Sequence, residues 1–593
     1  MKIALLYPPP WKIPGPDEEP DPDSGPPPGF APEDFGLDFF QAPIGLLSLA
    51  AQAIKAGHTV TVLNMSGFPW RRVEEALDGL DADLFGMTCY TANRRGVPLV
   101  ADAIKRRFPR AHIVVGGPHT TALPTLALEH WPSVDTVVVG EGEDTFMDLV
   151  DRLEKGTSVD GLPGAVQRVD GRPTVGPQRT RISDLDALVC PNTLFPTHIA
   201  VTARGCPSAC TFCGSRAAWG KSFRSHSAEY VLDSFEKSLP LLPVRILLIK
   251  DDIFPANRKR AMAICKGIVE RGLNFVWSCD SRADRIDDEL MKWMRLAGCK
   301  RISMGVESGS QTILKNIRKD VMPDEIIEAT ETARKWGVQA RWYMIVGNRG
   351  ETAETLKETV SFIERARPHQ MVFNYLSVYP GTPDYQDLVA QGRIDPNEYF
   401  TRNFLELQDA FDATEADKAI FQDWFSHNMG TRQTYDETVE GYRDILERLG
   451  EHADAHLDLA IALLHTGELD EAETHAARAL ELGHPLPGLA QNTLACISTS
   501  RGDLEMAKAY MTRAVKADPM HACVKHNFTV LQQWIAEGRP GCPPFDGSLP
   551  RKALTMSANQ RFELFERAAQ PVLPAPLKAR TRLAPVERAV TVT

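Results

Sequence analysis

The sequence predicts an α/β protein with three folded units: an N-terminal parallel sheet with helices on both faces, a partial barrel of strands and helices, and an all-helical C-terminal region. Strand and helix signals alternate up to about Asp151, a second alternating series continues to about Gln386, and helical repeats follow. The length of 593 residues supports this division, because one domain typically takes roughly 100 to 200 residues.

Short apolar or β-branched segments alternate with amphipathic ones in the N-terminal unit, residues 1–151. The expected strands are residues 2–7, 58–64, 84–88, 112–115 and 134–139, and the expected helices are residues 45–56 and 97–108. This alternation predicts a parallel, doubly wound sheet. Residues 14–36 are rich in Pro, Asp and Gly, and we expect a surface loop there that could act as a lid.

The second alternating series occupies residues 196–400, after an expected linker at residues 152–195. Its predicted strands are residues 245–250, 274–279, 301–304, 339–346 and 371–375. Helical segments lie between them, and this periodicity is typical of a (β/α) barrel, here a partial one.

A helix-pair pattern occurs twice after a helical connector at residues 401–450. The first copy has Gly467, Leu469, Ala472 and Ala479, and the second, 35 positions later, has Gly502, Leu504, Ala507 and Ala514. The domain 451–540 therefore resembles tetratricopeptide repeats, whose period is about 34 residues. Two copies are fewer than the roughly three that are stable alone, so we expect them to pack against neighbouring helices. Residues 541–593 are expected to form a disordered tail.

Composition excludes several classes of protein. The formal net charge of −12 disfavours a nucleic-acid partner, which would need clustered Lys and Arg. No apolar run approaches the roughly 20 residues of a membrane span, and prolines interrupt the short apolar N-terminus, as in a buried strand rather than a signal peptide. Most of the eleven cysteines stand singly, so we expect a cytoplasmic protein without a disulfide framework.

Three cysteines in one Gly/Pro/Ser-rich loop carry the strongest chemical signal. Cys206, Cys210 and Cys213 follow a β-branched run with the spacing C-x-x-x-C-x-x-C. Three thiolates in one loop can bind three corners of a cubane iron–sulfur cluster and leave the fourth iron open to a substrate. A zinc site would need a fourth ligand, for which His226 is the nearest downstream candidate. The third alternative is that the three cysteines occur together by chance and bind nothing.

The segment TARGCPSACTFCG resembles the signature of the radical S-adenosylmethionine superfamily. Farther on, IKDDIF, WSCDSRAD, ISMGVESGS and YPGTPDY resemble the branch that carries an N-terminal cobalamin domain. The resemblance implies a Rossmann-like cobalamin-binding domain and a partial TIM barrel, with a 4Fe-4S cluster, S-adenosylmethionine and cobalamin as cofactors. Phe212 matches the aromatic residue whose backbone touches the adenine. One departure is GNRGET at residues 347–352, where the family more often has G-x-P-G-E-T.

S-adenosylmethionine needs an acceptor for its ammonium, a cation for its carboxylate and a carboxylate for its ribose hydroxyls. Asp251 or Asp252 could accept the ammonium, Arg282 could bind the carboxylate and Glu307 could hold the ribose. All four follow predicted strands, and the carboxyl ends of strands form the active face of a barrel. A solvated loop charge is the alternative for each one taken alone.

Glycine pairs after two N-terminal strands permit close backbone approach of a large cofactor. The resemblance implies cobalamin contacts at Gly116 and Gly117 of GGPH, at Gly140 and Glu141 of GEGE, and at Thr88. The D-x-H-x-x-G motif that supplies a histidine to cobalt is absent, so histidine ligation is not predicted. Trp70 follows the second strand, where the resemblance places the lower cobalt face, although a core or interface aromatic is the more ordinary role.

The resemblance implies a methyltransferase that moves a methyl group from methylcobalamin to a substrate carbon after a deoxyadenosyl radical removes a hydrogen. No protein acid or base is obligatory. The substrate would be small or carrier-bound, with natural products, lipids and tetrapyrroles all open, and flavodoxin or ferredoxin would donate electrons. The alternatives are a non-methylating cobalamin cyclase or oxidoreductase and, from another class, a docking protein that binds a partner through its helical repeats.

Overall fold

The computed structural model describes residues 1–9, 43–401 except 67 and 69, the positions 411, 414, 417, 419 and 420, and residues 435–547. The predicted loop at residues 14–36, much of the predicted connector and most of the predicted tail lie outside the described residues. Nothing in the described ranges forms a helix with the length and apolar character needed to cross a membrane.

A seven-stranded sheet forms the N-terminal unit. Its strands are β1 (Lys2–Tyr7), β2 (Thr59–Asn64), β3 (Leu84–Thr88), β4 (His112–Gly116), β5 (Thr136–Val138), β6 (Ala165–Val169) and β7 (Arg172–Val175). The order is β2-β1-β3-β4-β5-β6-β7. The pairings among β1 to β5 are parallel and those of β6 are antiparallel. The prediction of a parallel sheet in an α/β unit is thus confirmed.

Helices cover both faces of this sheet. They are α1 (Ile44–Lys55), α2 (Trp70–Asp78), α3 (Gly96–Arg107), α4 (Pro118–Ala122), α5 (Pro124–His130) and α6 (Glu143–Lys155). Helices α1 and α6 bury their apolar side chains in one cluster, and α2, α3 and α5 bury theirs in another. Every strand from β1 to β5 is therefore buried on both sides, as near-continuous apolar runs in parallel sheets require.

The sheet continues into the segment predicted as a linker. Strands β6 and β7 form a hairpin joined by Asp170 and Gly171, whose φ angles are +50° and +77°. Two successive positive φ angles are the geometry of the tight hairpin turn that Asp-Gly favours. This dipeptide was the sequence signal that could have located the hairpin.

A six-stranded parallel sheet forms the second unit. Its strands are β8 (Ile199–Ala200), β11 (Ile246–Ile249), β12 (Val276–Ser281), β13 (Cys299–Glu307), β14 (Gln339–Val346) and β15 (Gln370–Tyr375), and a separate hairpin has β9 (Ala203–Arg204) and β10 (Arg224–Ser225). The order β15-β14-β13-β12-β11-β8 leaves β15 and β8 as edges of the described sheet, so the sheet is a partial barrel.

Helices accompany this sheet, and those between residues 228 and 366 bury side chains in the core on its outer face. They are α7 (Ser215–Trp219), α8 (Ala228–Ser238), α9 (Arg258–Glu270), α10 (Asp288–Leu296), α11 (Gln311–Asn316), α12 (Pro323–Lys335), α13 (Ala353–Ala366), α14 (Pro383–Ala390) and α15 (Glu398–Thr401). Short 3-10 helices span Leu185–Ala187, Pro191–Thr193, Leu239–Leu241, Phe254–Ala256 and Ala283–Arg285. Tyr385 and Tyr399, from α14 and α15, are buried in a core of the N-terminal unit, so these helices attach the two units to each other.

The C-terminal region is all-helical, as predicted. It contains α16 (Val439–Leu449), α17 (Ala453–Thr466), α18 (Leu469–Glu481), α19 (Pro487–Ser500), α20 (Leu504–Ala517) and α21 (Ala522–Ala536). The two sequence repeats correspond to the pairs α17/α18 and α19/α20. Gly467 and Gly502 lie between the helices of each pair with φ of +86° and +79°, the left-handed conformation that commonly ends a helix at glycine.

The helical region packs against the barrel where the strands begin. Ile246 and Val276, in the first positions of β11 and β12, share a buried cluster with Leu457, Ile461 and other side chains of α17 to α19. Beside this cluster, Arg295 contacts Asp454 and donates to Asp458 at 2.9 Å, and Lys300 donates to Asp454 at 2.8 Å. The Arg295 side chain is fully buried, so the interface depends on both carboxylates.

Replacing Asp454 with Ala should destabilise this interface by about 3 to 5 kcal/mol, the range for removing one partner of a buried ion pair. Arg295 and Lys300 would then share the single carboxylate of Asp458. The matched control is Asp444→Ala, which removes a surface pairing with Arg448 at 3.6 Å and should cost at most about 1 kcal/mol. Urea unfolding of the full chain, followed by circular dichroism and limited proteolysis, measures both. Equal losses in the two variants would contradict the assignment.

Candidate functional site

The three cysteines lie in the loop between β9 and α7. Cys210 is buried, and Cys206 and Cys213 are partly buried. Thr211 ties the loop to the barrel, because its backbone N–H donates to the Ile317 carbonyl at 3.0 Å and its hydroxyl donates to Asp384 at 3.1 Å. Phe212 is partly buried and packs against the core of the barrel. The loop is thus fixed at both the backbone and the side-chain level.

Burial raises the pKa of the Cys210 thiol, and burial raises the pKa of Cys213 to about 12. The charges of Lys319 and Arg282 act in the opposite direction on the pKa of Cys210. Both cations therefore favour the thiolate form, which is the form that binds iron. In the described ranges, no three His, Cys, Asp or Glu side chains are grouped to share one metal ion. A cubane instead takes each cysteine on a different iron.

Arg282 is buried beside the cysteine loop, in the position immediately after β12. Its Nε donates to Asp284 at 2.8 Å and its Nη2 donates to the Lys319 carbonyl at 2.8 Å. Its Nη1 is buried and has no hydrogen-bond partner. A buried guanidinium N–H without an acceptor costs free energy, so this atom is a free donor for a ligand of the site.

Glu307 is the last residue of β13 and forms a buried ion pair with Lys319, whose Nζ lies 2.9 Å from its Oε1. Its φ is +69°, a conformation that is uncommon outside glycine and is concentrated at functional sites. The β13/β14 register shifts at the same place. A Cβ at Gly305 would lie 2.5 Å from the Glu307 carboxylate, so a glycine is needed there. Sequence reasoning missed Lys319, which lies beyond α11.

The structure separates the roles of Asp251 and Asp252. Asp251 is buried and accepts hydrogen bonds from Thr202 N–H, Thr202 hydroxyl and Ala203 N–H at 2.5 to 2.9 Å. Burial raises the pKa of Asp251 to about 6. Asp252 accepts from the Ser215 hydroxyl at 2.9 Å, just after the cysteine loop. The Asp251 carboxylate is therefore occupied in holding Thr202 and Ala203 against the end of β11. Asp252 is the better placed of the two to meet a ligand, because it lies beside the cysteine loop.

A cavity of about 220 Å³ lies between the N-terminal sheet and the start of the barrel. Five predicted cobalamin-contact residues line it, namely Thr88, Gly116, Gly117, Gly140 and Glu141. From the barrel, Ala203, Arg204 and Trp219 line it, and these residues flank the cysteine loop on both sides. The cavity thus reaches from the carboxyl edge of the N-terminal sheet to the loop.

Trp70 does not line this cavity. Its side chain is buried, with 8% exposure, in the apolar cluster formed by α2, α3 and the sheet. The structure therefore places Trp70 as a core aromatic, the ordinary alternative considered for it.

The two glycines of GGPH differ in their surroundings. A Cβ on Gly117, whose φ is +111°, would lie 2.6 Å from the backbone oxygen of Cys89. A Cβ on Gly116 would meet only Val138, at 3.6 Å, which is an ordinary contact. Gly117 is therefore required by the fold, whereas a side chain at Gly116 can be accommodated by its neighbours.

Glu141 is held in a buried ion-pair network at the cavity wall. It accepts from Arg204 at 2.8 Å and from Arg224 at 2.8 Å, and Arg204 also pairs with Glu143 at 2.6 Å. The charge of Arg204 holds the pKa of Glu143 below its usual value against the effect of burial. These pairs join the N-terminal unit to the hairpin next to the cysteines. Sequence reasoning did not single out Arg204, Arg224 or Glu143.

Two further residues clarify the sequence motifs. Arg349 stands where the family more often has proline, and it donates to Asp384 and to Asp387, each at 2.8 Å. Asp384 is also the partner of Thr211 in the cysteine loop.

His226, the zinc candidate, contacts Asp186 at 3.1 Å and stacks on Tyr230 with ring centroids 4.2 Å apart. Its partners are therefore outside the cysteine loop.

The chain matches the family model of the B12 binding domain over residues 37–150 and that of the radical SAM superfamily over residues 200–363. It is 31% identical to an uncharacterized methyltransferase, PH0819 of Pyrococcus horikoshii, over 59% of this chain and 78% of that protein. It is 26% identical to the anaerobic magnesium-protoporphyrin IX monomethyl ester cyclase of Rubrivivax gelatinosus over 54% of this chain and 60% of the cyclase. The match thus spans under two thirds of the cyclase.

Solved structures show the same fold. The radical S-adenosylmethionine methyltransferase TsrM from Kitasatospora setae, solved with cobalamin and a 4Fe-4S cluster, has a TM-score of 0.53 over 66% of this chain and 78% of that one, at 17% identity. The cobalamin-dependent S-adenosylmethionine radical enzyme OxsB has a TM-score of 0.50 over 96% of this chain and 84% of that one, at 15% identity. With two matching family models and a relative above 30% identity, the chain belongs to the radical S-adenosylmethionine enzymes that carry a cobalamin-binding domain and use a 4Fe-4S cluster, S-adenosylmethionine and cobalamin.

Proposed function

We propose that this protein is a cobalamin-dependent methyltransferase that adds a methyl group to a carbon atom of a small or carrier-bound substrate. One observation carries the proposal: the cavity of the cobalamin-binding unit is lined by Ala203, Arg204 and Trp219, which flank the cysteine loop. The two cofactors would therefore lie side by side. When bound, the cluster and S-adenosylmethionine supply a carbon-centred radical, and cobalamin supplies the methyl group.

Cys206, Cys210 and Cys213 would hold the cluster. The loop fits this role because it is tied to the barrel through Thr211, and because Arg282 and Lys319 place positive charge beside Cys210. Three thiolates bring negative charge, and the positive charges of Arg282 and Lys319 favour the thiolate form at Cys210. An electron donor such as flavodoxin or ferredoxin would reduce the cluster.

The strand ends beside the cysteine loop would hold S-adenosylmethionine. The free Nη1 of Arg282 suits the carboxylate, Asp252 suits the ammonium and Glu307 suits the ribose hydroxyls, while the Phe212 backbone would meet the adenine. Lys319 would act as a positioning residue, since its ion pair fixes the Glu307 carboxylate. The protein contributes placement and exclusion of water rather than an acid or base.

The glycine-lined cavity would hold cobalamin. Gly116 and Gly140 offer backbone surface with room for a ligand, since a Cβ on Gly140 would meet nothing within 4 Å. Glu141 would shape the wall through its two arginine partners, and Thr88 would contribute a hydroxyl. Among the described residues that line the cavity, His226 is the histidine, and its Nδ1 contacts Asp186. We keep the prediction that cobalt has no histidine ligand, because the D-x-H-x-x-G motif is absent from the sequence.

The cyclase relative makes cyclisation the alternative reaction on this scaffold. Substrate classes stay open between lipids, tethered natural products and tetrapyrroles. A docking role for the repeats has less support than a bracing role, because α17 to α19 share a buried cluster with the barrel strands.

Replacing Arg282 with Met should weaken S-adenosylmethionine binding by about 1.5 to 3 kcal/mol, the range for hydrogen bonds to charged groups. The reason is loss of the free Nη1 donor. Arg285→Met is the matched control, because Arg285 contacts the same Asp284 from an exposed position, 42% accessible, and should bind like wild type. Equilibrium binding to reconstituted protein measures both. Unchanged affinity in Arg282→Met would show that the carboxylate lies elsewhere.

Replacing Gly116 with Val should leave the fold intact and remove bound cobalamin, because the branched side chain would occupy cavity space while its Cβ meets only ordinary contacts. Gly79→Val is the control, since Gly79 is exposed and its Cβ would meet only backbone oxygens at 3.7 and 3.8 Å. Circular dichroism reports the fold and the visible spectrum reports cobalamin. A folded Gly116→Val protein with stoichiometric cobalamin would place the cofactor outside this cavity.

Methyl transfer predicts a product in which one hydrogen is replaced by the methyl group of S-adenosylmethionine. The holoenzyme should be incubated with trideuteromethyl-labelled S-adenosylmethionine, a reductant and a metabolite extract, and products compared by mass. The Cys206/Cys210/Cys213→Ala variant is the control and should form neither deoxyadenosine nor product. A product that has lost hydrogen without gaining a labelled methyl group would assign the protein to the cyclase or oxidoreductase reaction.

A further inference from the structure

The inner face of the barrel sheet carries a charged layer below the strand ends. Apolar side chains such as Trp277, Met304 and Trp342 face the outer core, and strand residues alternate between faces. The opposite, inner face therefore takes Lys250, Asp280, Arg301, Ser303 and Arg341. Asp280, Ser303 and Arg341 lie in register across β12, β13 and β14.

Within the described part of the chain, this layer has more cationic than anionic side chains. Lys250 donates to Asp280 at 3.2 Å, which accounts for one cation and one anion. Arg301 and Arg341 have no carboxylate within 4.0 Å among the described residues. Both are almost completely buried, at 3% and 5% exposure. Among the described residues, neither arginine therefore has an ion-pair partner, while the charge of Asp280 acts on Arg301 from farther away.

Neutral side chains orient both guanidinium groups. Arg341 donates through Nε to the Ser303 hydroxyl at 3.0 Å and through Nη2 to the Tyr343 hydroxyl at 2.6 Å. Arg301 donates to the Gln370 side-chain oxygen at 3.3 Å, and its buried Nε has no partner. Both side chains are therefore held in place by neutral partners, and the Nε of Arg301 keeps a donor without an acceptor.

Such an arrangement is costly without an anion. Isolated buried charges lose their hydration, and like charges repel. Burial, with a further contribution from Arg341, lowers the pKa of Arg301 to about 9. A structural role does not require this cost, since an apolar pair of similar volume would fill the same space. An anionic ligand would remove it, because guanidinium groups bind carboxylates and phosphates through paired hydrogen bonds.

The layer lies between the cofactor edge and the helical region. Arg282 and Glu307 lie nearer the carboxyl ends of the same strands, β12 and β13. Toward the strand starts, Ile246, Val276 and Leu248 are covered by the helical region. A group bound at Arg301 and Arg341 would therefore lie inside the barrel, between the strand starts and the carboxyl ends where Arg282 and Glu307 lie.

We propose that Arg301 and Arg341 bind an oxyanion group of the substrate, a phosphoryl or carboxylate group, and so restrict the protein to anionic substrates. This assignment rests on the proposed function for its reaction, but the anion site itself is defined by the two arginines.

The test is anion binding by the reconstituted holoenzyme, with inorganic phosphate and acetate as separate probes against a constant chloride background. Wild type, Arg341→Met and Arg301→Met are compared with Arg245→Met, an exposed arginine of the same unit. Wild type and Arg245→Met should bind one of the probes, and each inner-face variant should bind it at least about tenfold more weakly, as loss of a charge-assisted pair predicts. Preference for phosphate identifies a phosphoryl group and preference for acetate a carboxylate.

Thermal unfolding without added anion provides the second measurement. Arg301→Met and Arg341→Met should have midpoints at or above that of wild type, because each removes an uncompensated buried charge. Equal anion binding in all four proteins, no binding by wild type, or a large fall in the midpoints of both variants would overturn the proposal. None of these readouts needs turnover, so a product mass that indicates cyclisation would reject methyl transfer and leave the anion site standing.

Discussion

The buried ion pair between Lys319 and Glu307 is the interaction on which the cofactor edge depends. It places a carboxylate at the end of β13 in a backbone conformation, φ +69°, that the chain would not adopt without surrounding support. Gly305 leaves room for that carboxylate, and Lys319 in turn places its carbonyl on Arg282 and its charge beside Cys210. The cysteine loop and the strand ends therefore interact electrostatically, because Arg282 and Lys319 place positive charge where the thiolates would bring negative charge.

Buried ion pairs also connect the N-terminal sheet to the barrel. Arg204 leaves the barrel hairpin two residues before Cys206 and pairs with Glu141 and Glu143 of the N-terminal unit. Separating the two units would break these pairs, and a buried charge that loses its partner is strongly destabilising. Here they fix the wall of the cavity relative to the cysteine loop, and α14 and α15 fix the other side by burying Tyr385 and Tyr399 against the N-terminal core.

The parts of the fold that could be predicted are mostly those with a clear local pattern of apolar and polar residues. Strands at residues 2–7 and 84–88 have the predicted bounds because each is a buried apolar run with clear ends. The residues that follow successive parallel strands, such as Arg282 and Glu307, could be assigned to one site because the carboxyl ends of such strands meet at one edge of the sheet. Lys319 could not be found this way, since it reaches the site from beyond α11, and the choice between Asp251 and Asp252 depended on Thr202, a contact between strands. For Trp70, a cobalamin contact stayed a candidate beside the more ordinary core role, because sequence position cannot tell a core-facing side chain from a cavity-facing one.

The helical region limits how a substrate can reach the barrel. Two repeats do not complete a core alone, and here α17 to α19 obtain theirs from Ile246 and Val276 of the strands. That packing closes the inner face where the strands begin, and the pairs of Arg295 and Lys300 with Asp454 hold it closed. Among the described residues, the carboxyl edge and the gap between the edge strands β15 and β8 remain for access. Since Arg301 and Arg341 lie nearer the strand starts than Arg282 and Glu307 do, a substrate bound at the two arginines would extend from them toward the carboxyl ends of the strands, where the cofactors would lie.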